Sequence, residues 1–537
     1  MVYRSAERWS SRVSVILAVA GSAVGLGSFL RLPSLIAMYD GGAFLIPYFC
    51  ALLFLGLPLM WIEWAIGRYG GIWGRHSMPG ILDKVTRRSW GKYFGILALY
   101  LPFVIVVYYL YIESWTLGYT FHSALGNFSI TPQDNAALLR GYLGAGTPSF
   151  STLALIFLAV TLIINFYVVY RGVESGIEKV NMIAMPLLFV VTAFLILFIV
   201  SSGKIGSLTD IGKALDHVWR PELLWHRDVP WWDPNIWLAA AGQVFFTLSL
   251  AMGAVITYTS YLRKDDDVAL GGLTAVSINT FAGVILGVSI VLPVAILAYM
   301  QGPEGMQGGL QAMKGVADQN IYALPFITLP VLFQQIPLGN QIGVLWFLLL
   351  FFAGITSSVS LLQPILAFFQ DELGWSRRKG TLVLLALTVG YLAPVVLLLQ
   401  HGFLKEMDFW AVTFLLPVGA LIEVLVFLAV LGISRGWEGI TTGALIRVPR
   451  IVRFIIRYLM PLYLIVLLGG WLWKEILPTL TLTRVDDADK VTVIAARVVM
   501  GAVLLAVLLA LRVAWKRRLE GTAGETPTVE EESTSVT

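Results

Sequence analysis

The chain has 537 residues, of which 58% are hydrophobic and only 13% are charged. Soluble domains carry about 25% charged residues, so this chain has too few polar side chains to cover a water-soluble fold of its length. The composition therefore indicates a membrane protein, and the formal net charge of +4 gives no sign of a nucleic-acid partner.

Apolar runs long enough to cross a bilayer recur along the chain, since about 20 helical residues span the hydrocarbon core. The first run begins after Arg4, Arg8 and Arg12, and no small-residue cleavage site follows it, so we predict a retained helix rather than a removed signal peptide. Twelve runs are predicted as transmembrane helices: residues 12–38, 43–67, 93–121, 151–170, 180–201, 235–262, 269–300, 341–370, 380–400, 409–433, 455–475 and 492–515.

The basic residues indicate the orientation of these helices, because Lys and Arg concentrate in cytoplasmic loops. If the N-terminus lies inside, most of the 37 Lys and Arg residues fall on the cytoplasmic side. We therefore expect a multi-pass protein in the lipid bilayer of the cell (inner or plasma) membrane, with both termini cytoplasmic. Residues 517–537 are rich in Thr, Ser and Glu and are predicted to form a disordered tail.

Cysteine and histidine give no sign of structural cross-links or a metal centre. Cys50 is the single cysteine and lies in an apolar run, which excludes a disulfide within the chain. The five histidines do not have metal-ligand spacing. A homodimer remains an open alternative to a monomer.

Two of the runs, the first and the sixth, contain small and polar residues midway across the membrane. Residues 21–28 read GSAVGLGS, and residues 246–253 read FTLSLAMG. Glycine tolerates backbone angles that break a helix, and a break in hydrocarbon frees amides and carbonyls that need a partner. Small residues in membrane helices also serve close packing. Because the two stretches have matching positions in two halves, 12–201 and 235–433, we favour broken helices around a midplane binding site, as in inverted-repeat transporters. Residues 455–515 then add helices 11 and 12.

The eighth run and a few buried charges add to this hypothesis. Ala353, Thr356 and Ser357 share one helix face, where two hydroxyls beside a small residue form a compact oxygen site for a cation. Alternatively, the hydroxyls bond to their own helix. Glu63 lies at membrane depth, and we expect it to cap freed amides of a broken helix; Glu113 and Glu423 are expected to be packing or network residues.

Several motifs, in order along residues 7–516, resemble those of the neurotransmitter:sodium symporter family, and most closely its bacterial leucine-transporter branch. They are AGSAVGLGSFLR at 20–31, GGAF at 41–44, PLMWIEW at 58–64, YYLYIESW at 108–115, GQVFFTLSL at 242–250, FAGITSS at 352–358 and EMDFW at 406–410. The resemblance implies an all-α membrane fold of twelve transmembrane helices, built as a five-plus-five inverted repeat with broken helices 1 and 6.

The resemblance also implies two sodium sites and a substrate site. The first sodium would bind the Ala23 carbonyl, the side chains of Ser28, Thr247 and Asn279, and the substrate carboxylate. The second would bind the carbonyls of Gly21, Val24 and Ala353 and the hydroxyls of Thr356 and Ser357. The substrate, a small-molecule amino acid, would meet Ser22, Ala23, Leu26, Gly27, Ile105, Tyr109, Phe246, Thr247, Ser249, Leu250, Met252, Ser357 and Leu361.

Gates and an anion site are implied in the same way. Phe246 and Tyr109 would form a lid over the substrate, and Arg31 and Asp408 would pair above it as the outer gate. The inner gate would consist of Trp9, Ser260, Tyr261 and Asp371. A chloride ion is a candidate occupant of a site formed by Tyr48, Gln243, Thr247, Asn279 and Gly283.

The chain departs from the family pattern at three places. Ser22 and Ser28 stand where related members have Asn, and Ala6 replaces the inner-gate arginine, which leaves Arg4 or Arg8 as candidate partners of Asp371. Gly283 replaces a residue that is acidic or Ser in the family. Chloride or water could fill that gap, or Glu63 or another acid could supply the charge.

We therefore predict a sodium-coupled symporter for neutral, apolar L-amino acids that works by alternating access and performs no covalent chemistry. Monoamine transporters of the family have Asp at the position of Gly25, where this chain has no acid. The alternative is a non-transporting amino-acid sensor on the same fold, although the gate residues favour a carrier over a sensor or a channel. An enzyme would need a nucleophile, a metal cluster or an acid–base pair at depth, and the sequence offers none.

Overall fold

The computed structural model describes residues 9–39, 41–86, 90–144, 151–201, 218–219, 233–300, 305–483 and 485–523. Within these residues all regular secondary structure is helical and no β-strand occurs. The predicted all-α class is confirmed.

In the described part of the chain, ten uninterrupted helices are long and apolar enough to cross a membrane, and two further segments are broken helices. The broken segments are α1 (Arg12–Ala23 and Gly27–Met38) and α6 (Pro234–Thr247 and Ala254–Thr259). The uninterrupted helices are α2 Gly41–Ile72, α3 Gly91–Ala124, α4 Thr152–Arg171, α5 Val173–Phe194, α7 Ala269–Ile296, α8 Gly339–Asp371, α9 Arg377–Leu398, α10 Phe403–Thr441, α11 Arg450–Leu480 and α12 Asp487–Lys516.

The number of spans depends on how the broken helices are counted. The two halves of α1 are bent by 40° and together pass as an eleventh span among the described residues. The halves of α6 are each too short, so length and composition alone do not give the predicted total of twelve.

The last helix is longer than predicted. Helical backbone continues from α12 to Ala523, into the segment 517–537 that the sequence predicts to be a disordered tail. Residues 516–520 read KRRLE, which are strong helix formers, so the helix extends past the end of the apolar run. Residues 524–537 lie outside the described part of the chain.

The break in α1 is a short nonhelical segment between two helices of different direction. Val24 ends the first half with φ −86° and ψ 85°, and its amide still donates to the Ala20 carbonyl at 2.7 Å. The helix resumes at Gly27. The carbonyls just before the break therefore lack their usual helical donors and are free to bind other groups.

The break in α6 contains three residues in the left-handed region: Ser249 at φ 54°, Ala251 at φ 59° and Gly253 at φ 74°. This conformation costs an L-residue with a side chain about 1–2 kcal/mol, so the neighbouring structure must hold it. Glu63 on α2 contributes, because its Oε1 accepts a hydrogen bond from the Ala251 amide at 2.6 Å. The predicted capping role of Glu63 is confirmed.

The long helices α3 and α8 pack along each other, and α1 packs against α5, α7 and α8. Gly354 makes the close approach of α3 and α8 possible, since a Cβ there would lie 2.6 Å from Glu113 Cγ. Glu113 in turn accepts a hydrogen bond from Asn165 of α4, as expected for a network residue. The broken segments of α1 and α6 thus face a frame of tightly packed helices.

Candidate functional site

The two broken segments contact each other directly. The Ser22 hydroxyl donates to the Ser249 hydroxyl at 2.8 Å, and Ser249 donates to the Ser22 carbonyl at 2.9 Å. All these atoms are buried. The breaks predicted from two distant stretches of sequence therefore form one polar centre inside the protein.

A cavity lies at this centre and is lined by residues of α1, α3, α6 and α8. Its lining consists of Ser22, Ala23, Gly25, Gly27, Tyr109, Phe246, Thr247, Ser249, Met252, Ser357 and Leu361. Of the residues predicted to meet substrate, Leu26, Ile105 and Leu250 are buried but do not line the cavity. The cavity walls combine hydroxyls and backbone with aromatic and aliphatic groups and contain no ionisable carboxyl or amine.

Two glycines of α1 keep the cavity open. A Cβ on Gly25 would lie 2.1 Å from Ser357 Oγ and 2.4 Å from the Tyr109 hydroxyl oxygen. A Cβ on Gly27 would lie 2.6 Å from the Phe246 ring. Gly25 was missing from our predicted substrate set, which drew on side chains and known backbone ligands.

Tyr109 and Phe246, the predicted lid, are neighbours on the cavity wall. Their ring centroids are 6.4 Å apart. The Tyr109 hydroxyl accepts a hydrogen bond from the Leu26 amide at 2.9 Å, so Tyr109 reaches the start of the second half of α1. Amides at such a helix start, together with the partial positive charge of the helix, suit a carboxylate.

The predicted second sodium site is a cluster of oxygen atoms from α1 and α8. The Thr356 hydroxyl lies 2.9 Å from both the Gly21 and the Ala353 carbonyl oxygens. The Ser357 hydroxyl lies 3.3 Å and 3.2 Å from the same two oxygens. Val24, the remaining predicted ligand, is the nonhelical residue one turn further along α1. Closely spaced carbonyl and hydroxyl oxygens of this kind fit a sodium ion, so the donor set suits the predicted ligand.

The predicted first sodium site is less compact. The Ser28 hydroxyl donates to Asn279 Oδ1 at 3.2 Å, whereas the Thr247 hydroxyl bonds to the Gln243 carbonyl at 2.9 Å. Asn279 Nδ2 is buried and has no hydrogen-bond acceptor within the described residues. The side chains of Ser28 and Asn279 are paired here, and Ala23 lies on the adjoining cavity wall.

The predicted anion site is only partly assembled. Tyr48 lies beside Thr247, and Gly283 lies beside Ser28, since a Cβ on Gly283 would be 3.2 Å from Ser28 Cβ and 3.4 Å from Ser28 Oγ. The Gln243 side chain is engaged at both ends: Nε2 donates to the Gly27 carbonyl at 2.9 Å, and Oε1 accepts from Arg31 at 2.5 Å. Gln243 thus connects the broken segment of α1 to Arg31, a link that the sequence did not suggest.

The predicted outer gate is a buried ion pair. Arg31 Nη2 lies 2.9 Å from Asp408 Oδ2, and the two side chains are only 1% and 7% exposed. Asp408 also accepts hydrogen bonds from the hydroxyls of Tyr322 at 2.8 Å and Tyr108 at 3.4 Å. The Arg31 guanidinium lies 5.5 Å from the centre of the Phe246 ring, directly against the cavity lid.

At the predicted inner gate, Trp9 is anchored to α6. Its indole nitrogen donates to the Tyr258 carbonyl at 2.8 Å, and its ring packs edge-on against Tyr258. The neighbouring Ser10 and Ser14 hydroxyls both donate to the Glu178 carboxylate of α5. Glu178 was not among the predicted gate residues, because nothing local in the sequence places it beside the N-terminal segment.

His76 joins the other inner-gate residues and was also missed. Its ring stacks on Tyr261 at 4.3 Å, and its Nδ1 lies 2.8 Å from the Ser260 hydroxyl. Asp371 accepts hydrogen bonds from the backbone amides of His76 at 2.8 Å and Ser77 at 3.3 Å. The candidate partners Arg4 and Arg8, as well as Ala6, lie outside the described residues.

One ion pair borders this gate on the cytoplasmic side of our predicted topology. Arg75 Nη1 lies 3.3 Å from Glu372 Oε1. Burial raises the pKa of the Glu372 carboxyl to about 7, although the charge of Arg75 acts in the opposite direction. As the pH falls below neutral, the Glu372 carboxyl therefore becomes protonated, and its ion pair with Arg75 is lost.

The chain is similar to known transporters over most of its length. The model of the Sodium:neurotransmitter symporter family matches residues 6–135 and 145–481. An uncharacterised sodium-dependent transporter of Methanocaldococcus jannaschii is 31% identical over 445 residues, which cover 80% of this chain and 83% of the relative. The sodium- and chloride-dependent glycine transporter 2 of Xenopus laevis is 25% identical, covering 80% of this chain and 60% of that protein. Among solved structures, MhsT in complex with L-phenylalanine superposes with a TM-score of 0.73 at 28% identity, covering 86% of this chain and 99% of MhsT.

Proposed function

Since this chain belongs to the sodium:neurotransmitter symporter family, we propose that it carries neutral, apolar L-amino acids into the cell. Membership of the family makes it a sodium-dependent, multi-pass membrane transporter rather than an enzyme. The observation that carries the proposal is the cavity between the two broken helices, which joins hydroxyls and backbone to apolar side chains without a charged group. The amino acid's carboxylate would face the amides at the start of the second half of α1, beside Tyr109. Phe246, Met252 and Leu361 would surround its side chain.

The geometry at Gly25 supports an amino acid over a monoamine. An acidic side chain there would have to pass through the space of Ser357 Oγ and the Tyr109 hydroxyl, 2.1 Å and 2.4 Å from its Cβ. With glycine at this position, the residues that line the cavity include no carboxylate to meet an isolated amine. The similar protein MhsT has been crystallised with L-phenylalanine, an apolar amino acid, which agrees with this substrate class.

We propose further that two sodium ions accompany the substrate and that the gates give alternating access. In the first sodium site the substrate carboxylate would complete the ligands, so the ion and the substrate would each raise the other's affinity. Arg31–Asp408 and the Trp9–Asp371 group would close the site from outside and inside in turn. Localisation in the cell membrane with both termini cytoplasmic remains part of the proposal, supported by the distribution of Lys and Arg.

Uptake of a panel of radiolabelled amino acids into proteoliposomes, with and without an inward sodium gradient, tests the function. We expect concentrative, sodium-driven uptake of Leu, Ile, Val, Met or Phe. Preferential uptake of glycine, glutamate or lysine, or tighter binding of a monoamine, would contradict the substrate class. Saturable binding without any uptake would instead favour the sensor.

Thr356→Ala and Ser357→Ala are expected to weaken sodium binding while the protein remains folded. Each removes one oxygen from the cluster around the Gly21 and Ala353 carbonyls. By analogy with the loss of a buried hydrogen-bond partner, the cost is about 1–3 kcal/mol. The measurement is the sodium concentration that gives half-maximal uptake.

Ser358→Ala is the matched control for this pair. Ser358 is the next residue on α8, but its hydroxyl donates to Asn165 Oδ1 at 2.5 Å instead of facing the cluster. If Thr356→Ala and Ser357→Ala keep the wild-type sodium dependence, or if Ser358→Ala shifts it as much, the second sodium site is misplaced.

Gly283→Glu is expected to make transport independent of chloride. Two sodium ions and a zwitterion bring net positive charge into a dry site, which is costly without a counter-charge. Gly283 supplies none, and we propose that chloride does; a similar glycine transporter is named as chloride-dependent. A glutamate at this position would extend past Ser28, whose small side chain must shift by a few tenths of an ångström.

The test compares uptake in chloride with uptake in gluconate. Wild type should slow in gluconate, and Gly283→Glu should not; Gly283→Ala, which adds bulk without charge, should behave as wild type. If wild-type uptake and substrate affinity do not change when chloride is removed, the chloride proposal is wrong, and Glu63 is favoured as the counter-charge.

A further inference from the structure

A buried asparagine on α5 carries an oxygen that nothing in the described protein satisfies. Asn181 is 1% exposed, and its Nδ2 donates to the Ile177 carbonyl at 2.9 Å. Its Oδ1 is buried and has no hydrogen-bond donor among the residues that the structure describes. Buried polar atoms of this kind are rare, and many are explained by a water or an ion.

The direction in which this oxygen points is fixed. The amide cannot be flipped, because Oδ1 would then face the Ile177 carbonyl oxygen with no hydrogen between two acceptors. Oδ1 therefore lies against Gly21. A Cβ added to Gly21 would be only 1.9 Å from Asn181 Oδ1 and 3.1 Å from Asn181 Cγ. Only glycine at position 21 leaves room for this approach.

Gly21 is also the residue at which the α1–α8 oxygen cluster forms. Its carbonyl oxygen lies 2.9 Å from the Thr356 hydroxyl and 3.3 Å from the Ser357 hydroxyl. Asn181 thus brings a neutral amide oxygen from a third helix, α5, to the same residue. It is uncharged and of the same chemical type as the carbonyl ligands proposed for the ion.

Building on the proposed function, we propose that Asn181 supplies a further oxygen to the second sodium ion, directly or through one water, and so raises its affinity. A purely structural role would account for Nδ2, which bonds to the same helix. Such a role leaves Oδ1 without a hydrogen-bond partner. A bound cation or its hydrating water would remove the free-energy cost of burying this unpaired oxygen. The family resemblance implied only the carbonyl and hydroxyl ligands of α1 and α8.

The test uses thermal unfolding of the purified full-length protein in detergent, titrated with sodium chloride against choline chloride and without amino acid. This readout reports ion binding to the folded state and does not depend on transport. Asn181→Leu removes the oxygen at similar volume, and Asn181→Asp keeps an oxygen and adds negative charge. Thr192→Val is the matched control, since Thr192 is a buried residue of the same helix whose hydroxyl donates to the Leu188 carbonyl at 2.6 Å.

We expect Asn181→Leu to raise the half-saturating sodium concentration about threefold to tenfold, in line with the loss of one uncharged partner. Asn181→Asp should lower it by about the same factor or more, because charged acceptors bind more strongly. Thr192→Val should leave it within about twofold of wild type, the usual size of an uncoupled effect. If Asn181→Leu does not fold, Asn181→Ser takes its place beside Asn181→Asp.

Two negative results can be told apart. Suppose that sodium stabilises wild type, but Asn181→Leu and Asn181→Asp both keep the wild-type half-saturating sodium concentration, or Thr192→Val changes that concentration as much as Asn181→Leu does. This inference is then wrong, and the proposed function stands. If wild type itself gains no stability from sodium relative to choline, the proposed sodium coupling fails, and this inference fails with it.

Discussion

Asp408→Ala is expected to reduce sodium-driven uptake by about 100-fold or more, since removing one partner of a buried ion pair costs about 3–5 kcal/mol. The pair joins Arg31 Nη2 to Asp408 Oδ2 at 2.9 Å in a nearly dry environment. Without Asp408, the Arg31 charge and the hydroxyls of Tyr322 and Tyr108 all lose their shared acceptor. In the proposed transport cycle the closed outer gate would then be rarely populated, and a carrier that cannot close its gate cannot complete its cycle.

The measurement is initial uptake in proteoliposomes at matched protein content. Asp408→Asn, which keeps one acceptor oxygen but replaces the other with an amide nitrogen and loses the charge, should give an intermediate loss. Asp318→Ala is the control, because Asp318 pairs with Lys405 at 2.8 Å while both side chains are more than half exposed, at 62% and 58%. Exposed pairs contribute about 0–1 kcal/mol, so this variant should transport nearly normally. Uptake by Asp408→Ala within about tenfold of wild type would mean that the ion pair does not limit closure.

Glu63→Ala is expected to weaken substrate binding about 10-fold to 100-fold, whereas Glu63→Gln should retain most of it, because a buried amide left without its acceptor costs about 1–3 kcal/mol. Glu63 Oε1 accepts from the Ala251 amide at 2.6 Å in the break of α6, where Ala251 has φ 59°. Alanine would leave that amide without its acceptor and the strained backbone without support. Glutamine still offers an oxygen at the same distance from the backbone.

Equilibrium binding of the radiolabelled substrate to purified variants measures this effect. Glu475→Gln is the control, since Glu475 is a buried glutamate that accepts from Asn235 at 3.1 Å, away from the cavity. Equal losses in Glu63→Ala and Glu63→Gln would show that the charge, rather than the capping oxygen, is required. That outcome would support Glu63 as the counter-charge that Gly283 does not supply.

The sequence was most informative where the relevant physics is local. Apolar runs indicated the membrane class and located the helices, because spanning hydrocarbon requires about 20 apolar residues in succession. Small residues at 21–28 and 246–253 indicated both breaks, since the freedom to leave a helix is a property of the residues themselves. The same local rule was less accurate at the end of α12, where charged helix formers continue the helix to Ala523 after the apolar run has ended.

The family resemblance supplied most of the cavity lining but not its connections. It gave Gln243 as a candidate anion ligand, but not the hydrogen bonds by which both ends of that side chain connect Arg31 with the Gly27 carbonyl. It also placed Asp371 in the inner gate without indicating that Asp371 accepts hydrogen bonds from the backbone amides of His76 and Ser77. A motif carries residue types from one protein to another, but a hydrogen bond depends on which atoms lie within about 3 Å.

The sequence by itself determined a membrane-spanning helical chain with two broken helices, and a glycine rather than an acidic residue at position 25. Composition, apolar length and glycine placement act within a few residues and can be recognised without the fold. What only the tertiary structure decided is which polar groups meet: Tyr322 with Asp408, Glu178 with Ser14, and Asn181 with Gly21. These partners come from different helices, and their separations are set by helix packing, which no local pattern along the chain records.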